Sequence, residues 1–244
     1  YTFSDPLALS LALHKGVAKH LIREAGVATP DFAVIERPED LAHVGLAFPL
    51  FLKPVAEGSS KGIDANSRVR NGQELERTGR RLLREFRQPV LVERYLPGRE
   101  YTVGIIGTGP EAQCIGGMEI LLKEGAEEGV YSYQNKREWE TLCDYRSIDG
   151  EVLDDCAAAA LPAWRALGCR DAGRVDLRED ENGSVHLIEV NPLAGLNAKR
   201  SDLAILSRLR GIAYDELIAL IMKSVERRVG NPTILDDSIR RRRA

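Results

Sequence analysis

The sequence predicts an α+β chain of two lobes. Strand and helix patterns alternate up to Pro97-Gly98, strand–turn–strand patterns dominate beyond it, and Asn182-Gly183 joins two alternating apolar runs in the way of a β-hairpin. The expected organisation is a first lobe at residues 1–97, a second at 98–230 and a polar tail at 231–244.

Each element follows from local chemistry. In "YTFSDPLALSLALHKGVAKHLIREAGVATPDF", Ser4 or Asp5 caps one long helix, Pro6 suits its first position and Gly26 its end. "FAVIE" reads as a strand, "RPEDLAHVG" as a short helix and "PLFLKP" as a strand. "NGQELERTGRRLLREF" has the period of an amphipathic helix, and "PVLVERYL" and "YTVGIIG" flank the turn "PGRE" as strands. "CIGGMEILL" is a further strand. "KEGAEEGVYSYQNKREWETLCDYRSIDGE" shows no clear period and reads as a long polar insertion, of the kind that is either functional or disordered. "EVLDDCAAAALPAWRALG" is helical, "DAGRVDLRED" and "SVHLIEVN" are strands, "PLAGLNAKRSDLAIL" is irregular and "AYDELIALIMKSVERRV" is a last amphipathic helix.

The composition bounds the function. The chain has 244 residues, 43% hydrophobic and 29% charged, with a net charge of -3, so no basic field points to nucleic acid. The apolar runs are too short for a membrane span. Cys114, Cys143, Cys156 and Cys169 form no CxxC pair and read as reduced thiols of a cytoplasmic protein. Tyr1 opens the chain, no signal peptide is visible, and the expectation is a fragment with its N-terminal part missing.

The hairpin makes the sharpest geometric claim. A two-residue type I′ turn at Asn182-Gly183 sets Asp176 opposite Glu189 and Arg174 opposite Asn191, with Val175, Leu177, Ile188 and Val190 on the core side. Two facing carboxylates repel, and a divalent cation between them removes that cost. Oxygen ligands favour Mg²⁺. A solvent-facing hairpin with scattered charges is the alternative. In "FLKPVAEGSSKGI", Lys53 ends a strand and Gly58, Ser59, Ser60 and Gly62 supply a loop of donors able to fold over phosphates. Neither the Walker A spacing nor GxGxxG occurs, and alone this loop equally describes a surface turn. In "VLVERYLPGREYTV", Glu93 and Glu100 flank the turn. There backbone groups can meet an adenine edge and a carboxylate can hold ribose hydroxyls; two surface glutamates beside a turn are the plainer alternative.

In this order the motifs resemble the ATP-grasp superfamily and, within it, the D-alanine–D-alanine ligases. "KPVAEGSSKGI", "RVD" and "EVNPLAGLN" are the most specific parts. The resemblance implies ATP held between two lobes. Lys15 and Lys53 contact its phosphates, Glu57, Gly58, Ser59 and Ser60 cover them, Glu93, Arg94, Tyr95 and Leu96 line the adenine site, and Glu100 holds the ribose. Asp176, Glu189 and Asn191 match the ligands of Mg²⁺ (or Mn²⁺), and Lys136 matches a lysine of a mobile lid that reaches the terminal phosphate. Arg174 and the backbone N–H of Gly195 match the oxyanion stabilisers, and Ser59 matches a serine that links the lid to the preceding domain. The implied reaction joins a carboxylate to an amine through an acyl phosphate. Its substrates are small amino acids or related molecules, with no nucleic acid or membrane partner. The histidines His14, His20, His43 and His186 are structural.

Three features depart from the family pattern. The resemblance implies a preceding α/β domain, through which a homodimer would form, and the expectation is that this domain is missing from the chain given from Tyr1. Arg137 stands where the lid carries an aromatic residue. Lys199 and Arg200 stand near the position of a substrate-binding serine, with Ser201 out of register; these cations point to a more acidic or differently shaped substrate. The alternatives are a ligase for another dipeptide or natural-product amide, or a nucleotide-binding module without catalysis.

Overall fold

The computed structural model describes residues 1–123 and 142–230. Helix α1 (Pro6–Leu13) begins as expected, with Pro6 in the first turn and Asp5 Oδ1 accepting from Ala8 N at 2.9 Å. Ser4 is no cap; its hydroxyl accepts from Arg170 N. The single long helix expected here is two. His14 leaves helical geometry at ψ 88°, and its Nδ1 caps the new helix α2 (Lys15–Glu24) by accepting from Val17 N. The break frees Lys15 N–H to bond Val55 O at 3.1 Å, which ties Lys15 to the strand that carries Lys53.

The first sheet is antiparallel, in the order β1 (Phe32–Ile35), β4 (Val90–Arg94), β2 (Leu50–Pro54), β3 (Arg68–Val69). Helix α3 (Gly72–Phe86) crosses one face and buries Leu75 and Leu82 against Ile35, Leu52 and Val92. Asn71 caps its start, accepting from Glu74 N, and Arg87 ends it in the left-handed region at φ 51°. Strand β2 presents Lys53 at the open end of this sheet, paired with Leu91 on β4.

The second sheet is antiparallel in the order β7 (Cys143–Ile148), β6 (Gln113–Leu122), β5 (Glu100–Ile106), β8 (Ala172–Glu179), β9 (Val185–Asn191). Helix α4 (Gly150–Ala166) covers one face, where Trp164, Cys156 and Ala160 meet Tyr101, Val103, Val175 and Leu187. Ala12, Ala18 and Ile22 of the first two helices join that same core. Helices α5 (Asp202–Leu209) and α6 (Tyr214–Gly230) cover the other face with Leu203, Leu217 and Ile221.

Two later elements also differ from expectation. Strand β7 lies inside the segment read as an unpatterned insertion. Asp144 and Arg146 alternate with Cys143 and Tyr145, so only every second position of this edge strand is apolar. The stretch from Pro192 is irregular only as far as Ser201. Leu203 through Leu206 are all buried, which hid the helical period of α5.

Candidate active site

A cleft, open to solvent at its mouth, runs between the two sheets. Its lining brings together Lys15, Lys53, Glu57, Ser59, Ser60, Glu93, Arg94, Tyr95, Leu96, Glu100, Asp176 and Glu189, which the sequence had placed on separate elements. Phe51, Lys61, Arg178 and Ile188 also line it and were not singled out from sequence.

At one end, cations converge. Lys15 Nζ donates to Glu57 O and lies 3.9 Å from Glu189 Oε2. Burial pushes the Lys15 ammonium below its usual range against the pull of Glu189. Lys53 is 3% exposed, and its Nζ donates to Glu93 Oε1 at 2.7 Å. The other oxygen of Glu93 faces Lys19 Nζ at 3.1 Å. Burial works to raise the Glu93 pKa, but Lys19 and Lys53 outweigh it and hold the carboxyl below its usual range. Lys19 itself, 1% exposed, is lowered to about 8 by burial. Sequence missed Lys19; its spacing of four from Lys15 on one helix face is the signal that was there to use. Glu93 thus borders the cleft with its carboxylate engaged by ammonium groups.

The loop after β2 turns at Ser59 (φ 54°), Ser60 (φ 56°) and Gly62 (φ 77°), all left-handed. Two non-glycine residues in that region mark stored strain of about 1 kcal/mol or more each. Gln88 braces the loop, accepting from Ala56 N at 2.7 Å and donating to Glu57 Oε1 at 2.9 Å. Gly58 belongs to the loop but does not line the cleft.

The hairpin builds the opposite wall. Asp176 pairs with Glu189 and Arg174 with Asn191, as expected, but by another route. The turn is a three-residue loop, not a type I′ turn. Gly183 N donates to Asp180 O, Asp180 N donates to Ser184 O, and Gly183 has φ 82°. That one-residue offset is undone by a bulge between Asp176 and Leu177, where Leu177 pairs with Leu187 and Ile188 is extra. Ile188 accordingly faces the cleft rather than the core.

Asp176 accepts from Thr102 Oγ1 at 2.8 Å, from Arg174 Nη1 at 2.6 Å and from Asn191 Nδ2 at 3.0 Å. Asn191 Nδ2 also donates to Glu189 Oε1 at 3.4 Å, so one electropositive group sits within reach of both acids. Two carboxylates and an amide that presents its oxygen after a half-turn are hard ligands of the kind Mg²⁺ takes. No group of three or more His, Cys, Asp or Glu side chains suited to a metal occurs among the described residues, so the set depends on the amide and on substrate or water oxygens.

At the far end, two guanidinium groups lie over the Tyr95 ring, that of Arg68 4.2 Å from its centre and that of Arg178 5.2 Å from it. Arg178 donates to Glu100 Oε2, Tyr95 Oη and Gly98 O. Gly98 packs so tightly that a Cβ would stand 2.5 Å from Glu179 Cβ, which fixes the turn before Glu100. Arg174 and Asn191 stand beside Asp176 without lining the cleft, and Gly195 is exposed on the loop beyond β9. Lys136 and Arg137 lie outside the described residues.

A family model described as D-ala D-ala ligase C-terminus matches residues 21–223. The chain belongs to the D-alanine–D-alanine ligase family. Its two antiparallel sheets, with the cleft between them, are the two lobes of that family's ATP-grasp fold. A D-alanine–D-alanine ligase of Bordetella petrii is 32% identical over 237 residues, covering 95% of this chain and 70% of the relative. The enzyme of the same name from Cupriavidus necator is 31% identical over 227 residues, covering 91% of this chain and 66% of the relative. Among solved structures, the VanG D-Ala:D-Ser ligase of Enterococcus faecalis superposes with a TM-score of 0.75 at 26% identity, covering 91% of this chain and 64% of that one. The chain thus spans about two thirds of the length of these family members.

Proposed function

We propose that this protein is an ATP-dependent carboxylate–amine ligase of the D-alanine–D-alanine ligase type, working in the cytoplasm. The observation that carries the proposal is the meeting of Lys15, Lys53 and the serine loop with the facing Asp176–Glu189 pair in one cleft.

Each residue has a place in this scheme. Lys15 and Lys53 offer ammonium groups to the phosphates of ATP, and the backbone of Glu57, Gly58, Ser59 and Ser60 closes over them. Arg94, Tyr95 and Leu96 border the base, with Glu93 behind them, and Glu100 takes the ribose hydroxyls. Asp176, Glu189 and Asn191 would hold Mg²⁺ (or Mn²⁺), which neutralises charge on the phosphoryl group when bound. The substrate carboxylate attacks the terminal phosphorus, the bond to ADP breaks, and an acyl phosphate forms. The amine nitrogen then attacks the acyl carbon and loses a proton, and the C–O bond to phosphate breaks. Arg174 and the Gly195 N–H stabilise the oxyanion between these steps, and Lys136 reaches the terminal phosphate from the lid.

Relatives carry the names D-alanine–D-alanine ligase and D-Ala:D-Ser ligase, so D-alanine is the first substrate to test, alone and with D-serine. A second reading, ligation of an acidic amine substrate, is favoured by the exposed Lys199 and Arg200 beside Gly195. Their backbone N–H groups are held by Asn197 Oδ1 at 3.1 and 3.2 Å. Phosphate release from ATP and Mg²⁺ with a panel of neutral and acidic D- and L-amino acids tests both. Release that no amino acid stimulates would overturn the ligase assignment.

A further inference from the structure

Arg174 is shared between two acids. Its Nη1 lies 2.6 Å from each oxygen of Asp176 and 3.3 Å from Asp202 Oδ2, and all three side chains are largely buried. Asp176 belongs to the hairpin pair. Asp202 comes from elsewhere: it opens α5, just after the loop that carries Gly195. Its place is fixed from both sides. Ser201 Oγ accepts from Asn197 N at 2.9 Å, Ser201 N donates to Asn197 O at 3.1 Å, and Ile205 N donates to Ser201 O at 2.9 Å. The next residue, Leu203, is fully buried, and its Cδ1 would stand 3.0 Å from a Cβ on Gly104 of β5. A carboxylate in the first turn of a helix is also favoured by the free N–H groups there.

We propose that Asp202 is a positioning residue that keeps the Arg174 guanidinium in place when Asp176 gives its oxygens to a divalent cation. This rests on the assignment of Asp176, Glu189 and Asn191 as the metal set. A guanidinium anchored on a metal ligand alone is drawn two ways. It competes with the cation for that ligand, and it loses its anchor when the cation wins. A second carboxylate on a rigid helix start removes the conflict, because the arginine can lean on it while Asp176 turns.

Charge works in the same direction. Arg174 and Lys15 face Asp176, Glu189 and Asp202, so the cluster carries a net negative charge that favours a dication. Without Asp202 these groups balance to neutral, and the arginine leans more heavily on Asp176. Both effects weaken the cation's hold.

The test is Mn²⁺ binding to the whole protein, read by electron paramagnetic resonance without turnover, with the kinetics of phosphate release alongside. Asp202→Asn is expected to weaken Mn²⁺ binding about three- to tenfold and to raise the half-saturating Mg²⁺ concentration in turnover by a similar factor. The KM for ATP at saturating metal should change less than about twofold, and kcat should fall about tenfold as Arg174 loses its place. Asp202→Glu should recover part of both losses. Asp202→Ser, which keeps a residue suited to a helix start, carries the same expectation if the asparagine variant folds poorly. Glu85→Gln removes an exposed acid on α3 and should match the wild type. If the wild type binds Mn²⁺ and the Asp202 variants bind it equally well with unchanged kcat, the positioning role is overturned. If the wild type binds no Mn²⁺, the metal-set assignment is what falls, and this proposal with it.

Discussion

The Lys19 ammonium lies 3.1 Å from Glu93 Oε2, on the opposite oxygen from Lys53, which donates to Oε1 at 2.7 Å. Two cations share one anion in a place closed to solvent, so the group carries a net positive charge under the phosphate end of the cleft. Removing the anion leaves the ammonium groups facing each other without water. Glu93→Gln should therefore cost about 3–5 kcal/mol of stability. Lys19→Met should cost less, because it leaves the Lys53–Glu93 pair intact and removes an uncompensated charge. Urea unfolding midpoints of the two variants check the order.

The same group sets a pH dependence. Burial lowers Lys19 from 10.5 to about 8. Below pH 8 the folded protein carries the buried charge at a cost in stability. Between about pH 8 and 10.5 the folded state has released the proton while the unfolded state still binds it, so the contribution of this group to stability rises with pH across that window. Nucleotide binding should move the other way. Loss of the Lys19 charge weakens attraction for phosphates, so the Kd for ATP should rise above about pH 8. Titration calorimetry across pH should show that bend in the wild type and a smaller one in Lys19→Met, where Lys15, also lowered by burial, still titrates.

The hairpin shows how much of the site was legible in the sequence. Asp176 opposite Glu189 was readable from alternation and Asn182-Gly183, yet the turn type was wrong and a bulge corrected the register. A one-residue loop difference and a bulged Ile188 cannot be told apart from the period of the flanking residues, because both leave Asp176 and Glu189 on one face. The lysine strand and the serine loop were legible only in company: alone the loop equally describes a surface turn, and it gained meaning from its order before the RxD and ExN strands. Lys19, Arg178 and Asp202 were not. Each looks like an ordinary surface charge until the fold brings a distant acid or ring against it. The break at His14 was hidden too, since the helix propensity of the residues around it continues and only the tertiary bond from Lys15 N to Val55 O favours the interruption.

The two acids of the hairpin should separate stability from metal binding. Asp176 accepts from Thr102, Arg174 and Asn191 and is buried, whereas Glu189 is partly exposed, with Lys15 3.9 Å away. Asp176→Asn should lower stability by about 1–3 kcal/mol, since it weakens buried bonds to a charged group. Glu189→Gln should change stability by less than about 0.5 kcal/mol, as partly exposed pairs do. Both should weaken Mn²⁺ binding. Equal destabilisation by the two, measured in thermal melts with and without metal, would count against this division of labour.

The far end of the cleft holds the last prediction. Arg178 donates to Glu100 Oε2 at 3.3 Å and to Tyr95 Oη at 3.3 Å, while its guanidinium lies against the Tyr95 ring that Arg68 covers from elsewhere. One planar cation thus orients both the acid proposed for the ribose and the ring at the base. Lysine cannot replace it, because a point charge makes neither the fork nor the stack. Arg178→Lys and Arg178→Ala should each raise the KM for ATP about tenfold and leave kcat within about twofold, the pattern of lost binding that is uniform between ground and transition states. Glu100→Gln should act on the sugar alone, so its preference for ATP over 2′-deoxy-ATP should shrink while base selectivity stays. If Arg178→Ala lowers kcat and leaves KM unchanged, Arg178 serves the chemistry and not the nucleotide, because a group that only orients ribose and base has nothing further to offer once ATP is bound.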